Sequence, residues 1–193
     1  MPTPATAKKT PPTSSTPSVR KAPATAKCQK DACNLLDADH KAVKALFKEY
    51  EALTESRSRS TAKKRRLADQ ICKKLTVHAT TEEEIFYPAA RKATKNNALL
   101  NEATVEHASA KDLNVQIGSM DAGDEMFDAK VTVPGEYIDH NAKEERSEMF
   151  VKVCSTKLDL VKLSGQLQAR KEELIAGQAQ PAATPVSELS TAL

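Results

Sequence analysis

The chain has 193 residues, 39% of them hydrophobic and only 4% aromatic, with no Trp, five Gly and a formal net charge of +3. That length allows one domain with a real core plus some unstructured chain, and a middle section rich in Ala, Leu, Lys and Glu excludes a sheet-dominated fold. No apolar run reaches the roughly 18–20 residues that span a bilayer, and the N-terminus lacks the apolar stretch of a secretory signal. The expectation is therefore a cytoplasmic protein without membrane contact. Its four cysteines (Cys28, Cys33, Cys72 and Cys154) lack the usual zinc spacings and read as reduced thiols.

Residues 1–30 mix Pro, Thr, Ala, Ser and Lys and carry six basic residues with no acid, so the remainder of the chain is at −3. With almost nothing to bury, this tail is expected to be disordered. Its charge permits nucleic-acid contact, but it has no aromatic residues for base stacking, and a solubilising or tethering role is the simpler reading.

A bundle domain is expected over residues 31–155. Its first helix runs from about Asp31 to Thr54, with Leu36, His40, Val43, Phe47 and Tyr50 at alternating spacings of four and three. The second runs from about Thr61 to Lys92, with Leu67, Ile71, Leu75, His78, Glu82, Ile85 and Phe86 on one stripe. Pro88 should bend or end it. The third covers about Asn97 to Gly118, with His107 on its apolar face and Gly118 as its cap. A loop or frayed segment follows. The fourth helix is placed from about Thr132 to Cys154, with Pro134 in its first turn and a stripe of Tyr137, His140, Glu144 and Val151. An accessory helix over 156–177, stopped by Gly177, packs outside, and 178–193 reads as a second disordered tail. The fold class is all-α: an antiparallel up-down-up-down four-helix bundle with a short C-terminal accessory helix.

Each histidine in the chain falls on one of these stripes, one per helix: His40, His78, His107 and His140, separated by 38, 29 and 33 residues. Each interval is about one helical traverse, so the four rings can meet at one height. A residue four ahead lies about 40° round a helix and 6 Å along it, which sets Glu82 beside His78 and Glu144 beside His140. A lone histidine on a stripe is more often a hydrogen-bonded core residue than a ligand. Four at matched levels, two of them with a carboxylate four residues on, are hard to explain that way. Buried carboxylates are costly unless compensated, and a cation would compensate them. Glu83, Glu84 and Glu145 read as surface or supporting residues.

The six candidates (His40, His78, Glu82, His107, His140 and Glu144) form a set suited to a transition metal rather than calcium or magnesium. Six ligands exceed one tetrahedral zinc. Two iron ions bridged by the two carboxylates and an oxo or hydroxo group leave about two of twelve coordination positions open for water, dioxygen, peroxide or nitric oxide.

The phrases DADHKAVKALFKEYEAL, HATTEEEIFYPAARKA, NEATVEHASAKDL and GEYIDHNAKEERSEMF, spread over about residues 32–155, resemble the hemerythrin-like family of HHE cation-binding domains. The resemblance implies a four-helix bundle with a non-haem di-iron site whose ligands match the same six residues. It also exposes departures. Oxygen-carrying members have a fifth histidine where this chain has Ala103, and bacterial relatives often have His-His where it has His140-Asn141 and Pro where it has Val151. The missing fifth ligand implies a more open pair of metals. Tyr137 and Glu136, just before His140, are further candidates for the metal shell or a supporting hydrogen bond.

Three classes of function fit. One is a di-iron module that binds dioxygen, nitric oxide, peroxide or iron itself for sensing, buffering or stress defence. Another is a di-iron oxidoreductase consuming peroxide. The third is a structural bundle that is metal-free or holds zinc. A protein partner is left open.

Overall fold

A computed structural model describes residues 31–56, 60–95 and 97–179, so both expected tails, 1–30 and the chain beyond Ala179, lie outside the described residues. The described chain is all helical. Helix α1 is Ala32–Glu55, started by Asp31, whose side chain accepts from the Asn34 N–H. Helix α2 runs as Thr61–Thr81, passes through a π-helical turn at Glu82–Phe86 and continues as Tyr87–Thr94. Helix α3 is Ala98–Ser119. Helix α4 runs as Phe127–Glu144, a second π-helical turn at Glu145–Met149, and Phe150–Cys154. Helix α5 is Leu160–Ala179.

Several boundaries differ from the sequence reading for identifiable reasons. Helix α4 starts five residues earlier than expected because Phe127 and Val131 are wholly buried and hold that segment in the bundle. Pro134 therefore sits inside the helix rather than in its first turn. Pro88 does not end α2; it follows a π turn in which the Tyr87 N–H bonds to the Glu82 carbonyl, five residues back. Gly118 and Gly177 lie within helices rather than stopping them. The end of α3 is instead closed by Arg65, whose guanidinium donates to the carbonyls of Ile117, Gly118 and Met120 at 3.0–3.1 Å. Those are among the carbonyls a helix end leaves without intrahelical partners.

Helices α1 to α4 pack in a closed cycle, α1 on α2, α2 on α3, α3 on α4 and α4 on α1, with short links making successive helices antiparallel. Apolar residues form two separate clusters. One contains Leu36, Phe86, Leu100, Met149, Phe150 and Val153. The other contains Val43, Tyr50, Leu67, Ile71, Ile117 and Phe127. In sequence, the buried polar residues of each helix fall between its contributions to the two clusters.

Helix α5 does more than pack outside. Leu163 and Leu167 join the first cluster, and ion pairs tie Arg170 to Glu84 of the α2 π turn and Lys171 to Asp39 of α1. Leu167 is 1% exposed, so Leu167→Ala should destabilise the protein by about 2–5 kcal/mol. Chemical denaturation checks this, and a loss below about 1 kcal/mol would show that α5 is dispensable to the fold.

Candidate metal centre

Between the two apolar clusters, α1 supplies His40, α2 supplies His78 and Glu82, α3 supplies His107, and α4 supplies Asn141 and Glu145. All six are at least 95% buried. His78 Nε2 lies 3.2 Å and His107 Nε2 3.4 Å from Glu82 Oε2. His40 Nε2 lies 4.0 Å from Glu82 Oε1 and 3.7 Å from Glu145 Oε2. Two atoms bound to one cation at about 2.1 Å are themselves about 3.0–3.5 Å apart in octahedral or tetrahedral shells. Most of these separations are too long for good hydrogen bonds and close to those of ligands sharing a metal.

Hydrogen bonding makes the same point. Both ring nitrogens of His40 and His78, Glu82 Oε1, both Glu145 carboxyl oxygens and Asn141 Oδ1 are buried with no hydrogen-bond partner among the described residues. Leaving that many polar atoms unmatched in one core would be very costly. The donor set of three imidazoles and two carboxylates fits a transition-metal cation.

The structure divides the six residues expected from sequence. His40, His78, Glu82 and His107 come together. His140 and Glu144 do not join them: their side chains are 48% and 29% exposed. The fourth-helix stripe was read one residue out of register. Its buried positions include Val131, Pro134, Ile138, Asn141, Ala142, Glu145, Met149 and Val153, whereas Val151 is 63% exposed. One residue corresponds to about 100° of rotation, so the carboxylate brought to the centre is Glu145, four beyond Asn141, rather than Glu144. His140 turns outward, its Nδ1 2.7 Å from Glu106 Oε1, and groups with Glu102 and Glu144 at the surface. Glu106 holds the His140 imidazole above its ordinary pKa.

Tyr87, which the sequence reading passed over, also reaches the centre. Its hydroxyl donates to Glu82 Oε2 at 3.3 Å, lies 3.5 Å from His107 Nε2 and accepts from Asn141 Nδ2 at 3.5 Å. Its ring stacks on His107 with centroids 5.5 Å apart. In a regular α-helix a residue five ahead points about 140° away. In a π turn of about 4.4 residues it returns to nearly the same face. Tyr137 is half-buried and Glu136 exposed. Tyr137 lines a cleft with Leu75, His78, His107, Ile138 and Asn141 that has room for about one water-sized molecule.

Glu83 lies behind His107. His107 Nδ1 lies 3.2 Å from Glu83 Oε1, and Lys111 Nζ bonds the other carboxyl oxygen. The His107 contact, aided by Lys111, holds the Glu83 carboxyl below its usual range. Nε2 is the nitrogen that faces Glu82, while Nδ1 faces Glu83 without the geometry of a hydrogen bond.

Burial keeps His40 neutral, its pKa pushed down to about 3, and drives His78 well below 6.5. Burial also raises Glu145 to about 7 and, with the neighbouring Glu145 charge, raises Glu82 well above 4.5. Raised carboxyls stabilise the fold below about pH 4.5 and lose that contribution as pH rises through their folded values. Depressed imidazoles stabilise it above about pH 6.5 and lose that contribution as pH falls towards 3. Metal-free protein should therefore be most stable between about pH 4.5 and 6.5. Thermal melts from pH 3.5 to 8 test this, and a melting temperature climbing steadily to pH 8 would contradict it. The register of α4 has its own test. Glu145→Ala should lose most bound metal while Glu144→Ala keeps it, read by elemental analysis; the reverse pattern would return the i+4 assignment.

A profile of the Hemerythrin HHE cation binding domain matches residues 31–150. No curated protein sequence matches the chain significantly. Among solved structures, the fold is similar to a Hemerythrin HHE cation binding domain-containing protein from Mycobacterium kansasii, with a TM-score of 0.62 and 21% identity. The match covers 76% of this chain and 88% of that one.

Proposed function

Because this chain belongs to the hemerythrin HHE cation-binding domain family, we propose that it is a non-haem di-iron protein binding a small oxygen-derived or diatomic ligand. The observation that carries the proposal is the set of buried, unpartnered imidazole and carboxylate atoms around Glu82. His40, His78, His107, Glu82 and Glu145 would hold the metal. Iron bound there would supply reversible ligand binding or two-electron redox chemistry.

The surrounding residues support that chemistry in separate ways. The apolar clusters on either side exclude bulk water, which strengthens the electrostatics of everything between them. Tyr87 sets an O–H at the edge of the donor set, in reach of a ligand or of Glu82. Burial keeps that phenol protonated by raising its pKa well above 10. The cleft beside His78 and His107, with room for about one water-sized molecule, suits a small ligand rather than a bulky substrate.

A second reading, peroxide consumption, draws support from the donor count. Three imidazoles and two carboxylates occupy fewer positions on two metals than the six-ligand set did, leaving more room for a reacting ligand. His140 and Glu144 remain candidates for the metal shell only if the α4 side chains turn inward on loading.

Protein purified from iron-supplemented cells should carry two irons per chain and show charge-transfer bands that shift with azide, nitric oxide or peroxide. Catalytic disappearance of peroxide, many equivalents per site, selects the oxidoreductase; one equivalent bound per site selects the binding module. No iron, or one spectroscopically silent zinc, would sink both.

A further inference from the structure

Folding brings together two cysteines that the metal centre does not use. Cys33 lies in the first turn of α1 and Cys154 is the last residue of α4. Although 121 residues apart in sequence, they meet with the Cys154 thiol donating to Cys33 Sγ at 3.9 Å. No disulfide joins them. The pair sits at the end of the bundle filled by Leu36, Phe150 and Val153. Cys72 belongs with the other apolar cluster, where burial raises its thiol to about 11 and leaves it a poor nucleophile.

The two thiols differ in access. Cys154 is exposed, whereas Cys33 is 5% exposed and packed in the core. One sulfur can meet a dissolved oxidant; the other is shielded from it and held within reach of the first. A disulfide needs the sulfurs about 2.05 Å apart, so closure requires about 2 Å of approach. The exposed Cys154 side chain is the one whose rotation would supply that approach.

We propose that Cys33 and Cys154 are a peroxide-oxidisable pair that closes into an intramolecular disulfide, stapling the start of α1 to the end of α4. The Cys154 sulfur attacks peroxide, the O–O bond breaks, and Cys154 becomes a sulfenic acid with release of water. The Cys33 sulfur then attacks that sulfenic sulfur, the S–O bond breaks, and a second water leaves with the Cys33 proton. Two thiols are oxidised and one hydrogen peroxide is reduced to two waters. The bond encloses most of the bundle in a covalent loop, which restrains the unfolded chain more than the folded one.

The test uses the reduced full-length chain, treated with a small excess of hydrogen peroxide, alkylated and digested without reductant for mass spectrometry. The same treatment is run with a chelator present, because the thiol chemistry is independent of the metal reading. The expected result is a Cys33–Cys154 linked peptide with two of the four thiols lost to alkylation. Dithiothreitol should reverse it, and the melting temperature of the oxidised monomer should rise by about 5 °C. Cys154→Ser, at an exposed position, should fold normally, form no linked peptide and show no rise. Oxidation of Cys154 to sulfinic acid, a bond to Cys28 or to a second chain, or four thiols still alkylated would each overturn the proposal.

Discussion

Three imidazoles and two carboxylates share one buried layer between two apolar clusters, and the rest of the fold is organised around that fact. In a core of leucine and phenylalanine each unmatched polar atom opposes folding, and two neighbouring carboxyls oppose it twice, by desolvation and by mutual repulsion. The protein carries this burden at one level of the bundle only. Above and below, Phe86, Phe127, Leu36 and Ile117 are almost completely buried and supply the apolar area that offsets it. A positive ion at the centre would turn the same atoms from a cost into ligands, which is why the polar layer is read as a candidate binding site rather than a defect.

The two π turns are the means by which straight helices serve that layer. Each begins at a buried glutamate, Glu82 in α2 and Glu145 in α4, and each lets the helix resume with an aromatic residue, Tyr87 or Phe150, directed into the core. A π turn loosens the hydrogen-bond ladder and is seldom kept without a use. Here one glutamate from each of two diagonally placed helices approaches His40. Helix α5 packs against the α2 turn and ties its outer face through Arg170 and Glu84, so the irregular stretch is braced from outside as well as filled from within.

Much of this was legible in the sequence, and the exceptions are physical. On α1, α2 and α3 the histidines coincide with the apolar stripe, so His40, His78, Glu82 and His107 could be placed from spacing alone. On α4 histidine and stripe separate. Taking His140 as the marker rotated the whole helix by one residue and selected Glu144 over Glu145. The available corrective was the run Ile138, Ala142, Met149 and Val153, whose spacing points to Glu145, but the charged stretch Lys143-Glu144-Glu145-Arg146 carries no contrast of its own. Tyr87 was hidden differently. Five residues after Glu82 is the wrong interval for an α-helical face, and nothing in EEEIFYP except the nearby proline hints at a wider turn. The cysteine pair was unreadable because its proximity depends on the closing contact of α1 with α4.

The widened turn in α2 also changes what kinds of genetic variation the site tolerates. A substitution at Glu84 or Ile85 alters one side chain and leaves the helical phase intact. Loss of one residue from Glu83–Ile85 would let the ladder revert to regular α-helix with Tyr87 four residues after Glu82, about 40° round, so the downstream phase would be nearly kept. Closing the turn at its present length, or adding a residue to it, would instead swing Tyr87 away from the centre and Phe86 out of the core by roughly 100°, even though every functional side chain was still encoded. For this protein the phase of the helix is as much a part of the site as its residues: the turn can absorb the loss of one residue, whereas a one-residue loss in the regular helix between His78 and Glu82 would rotate them apart by about 100°.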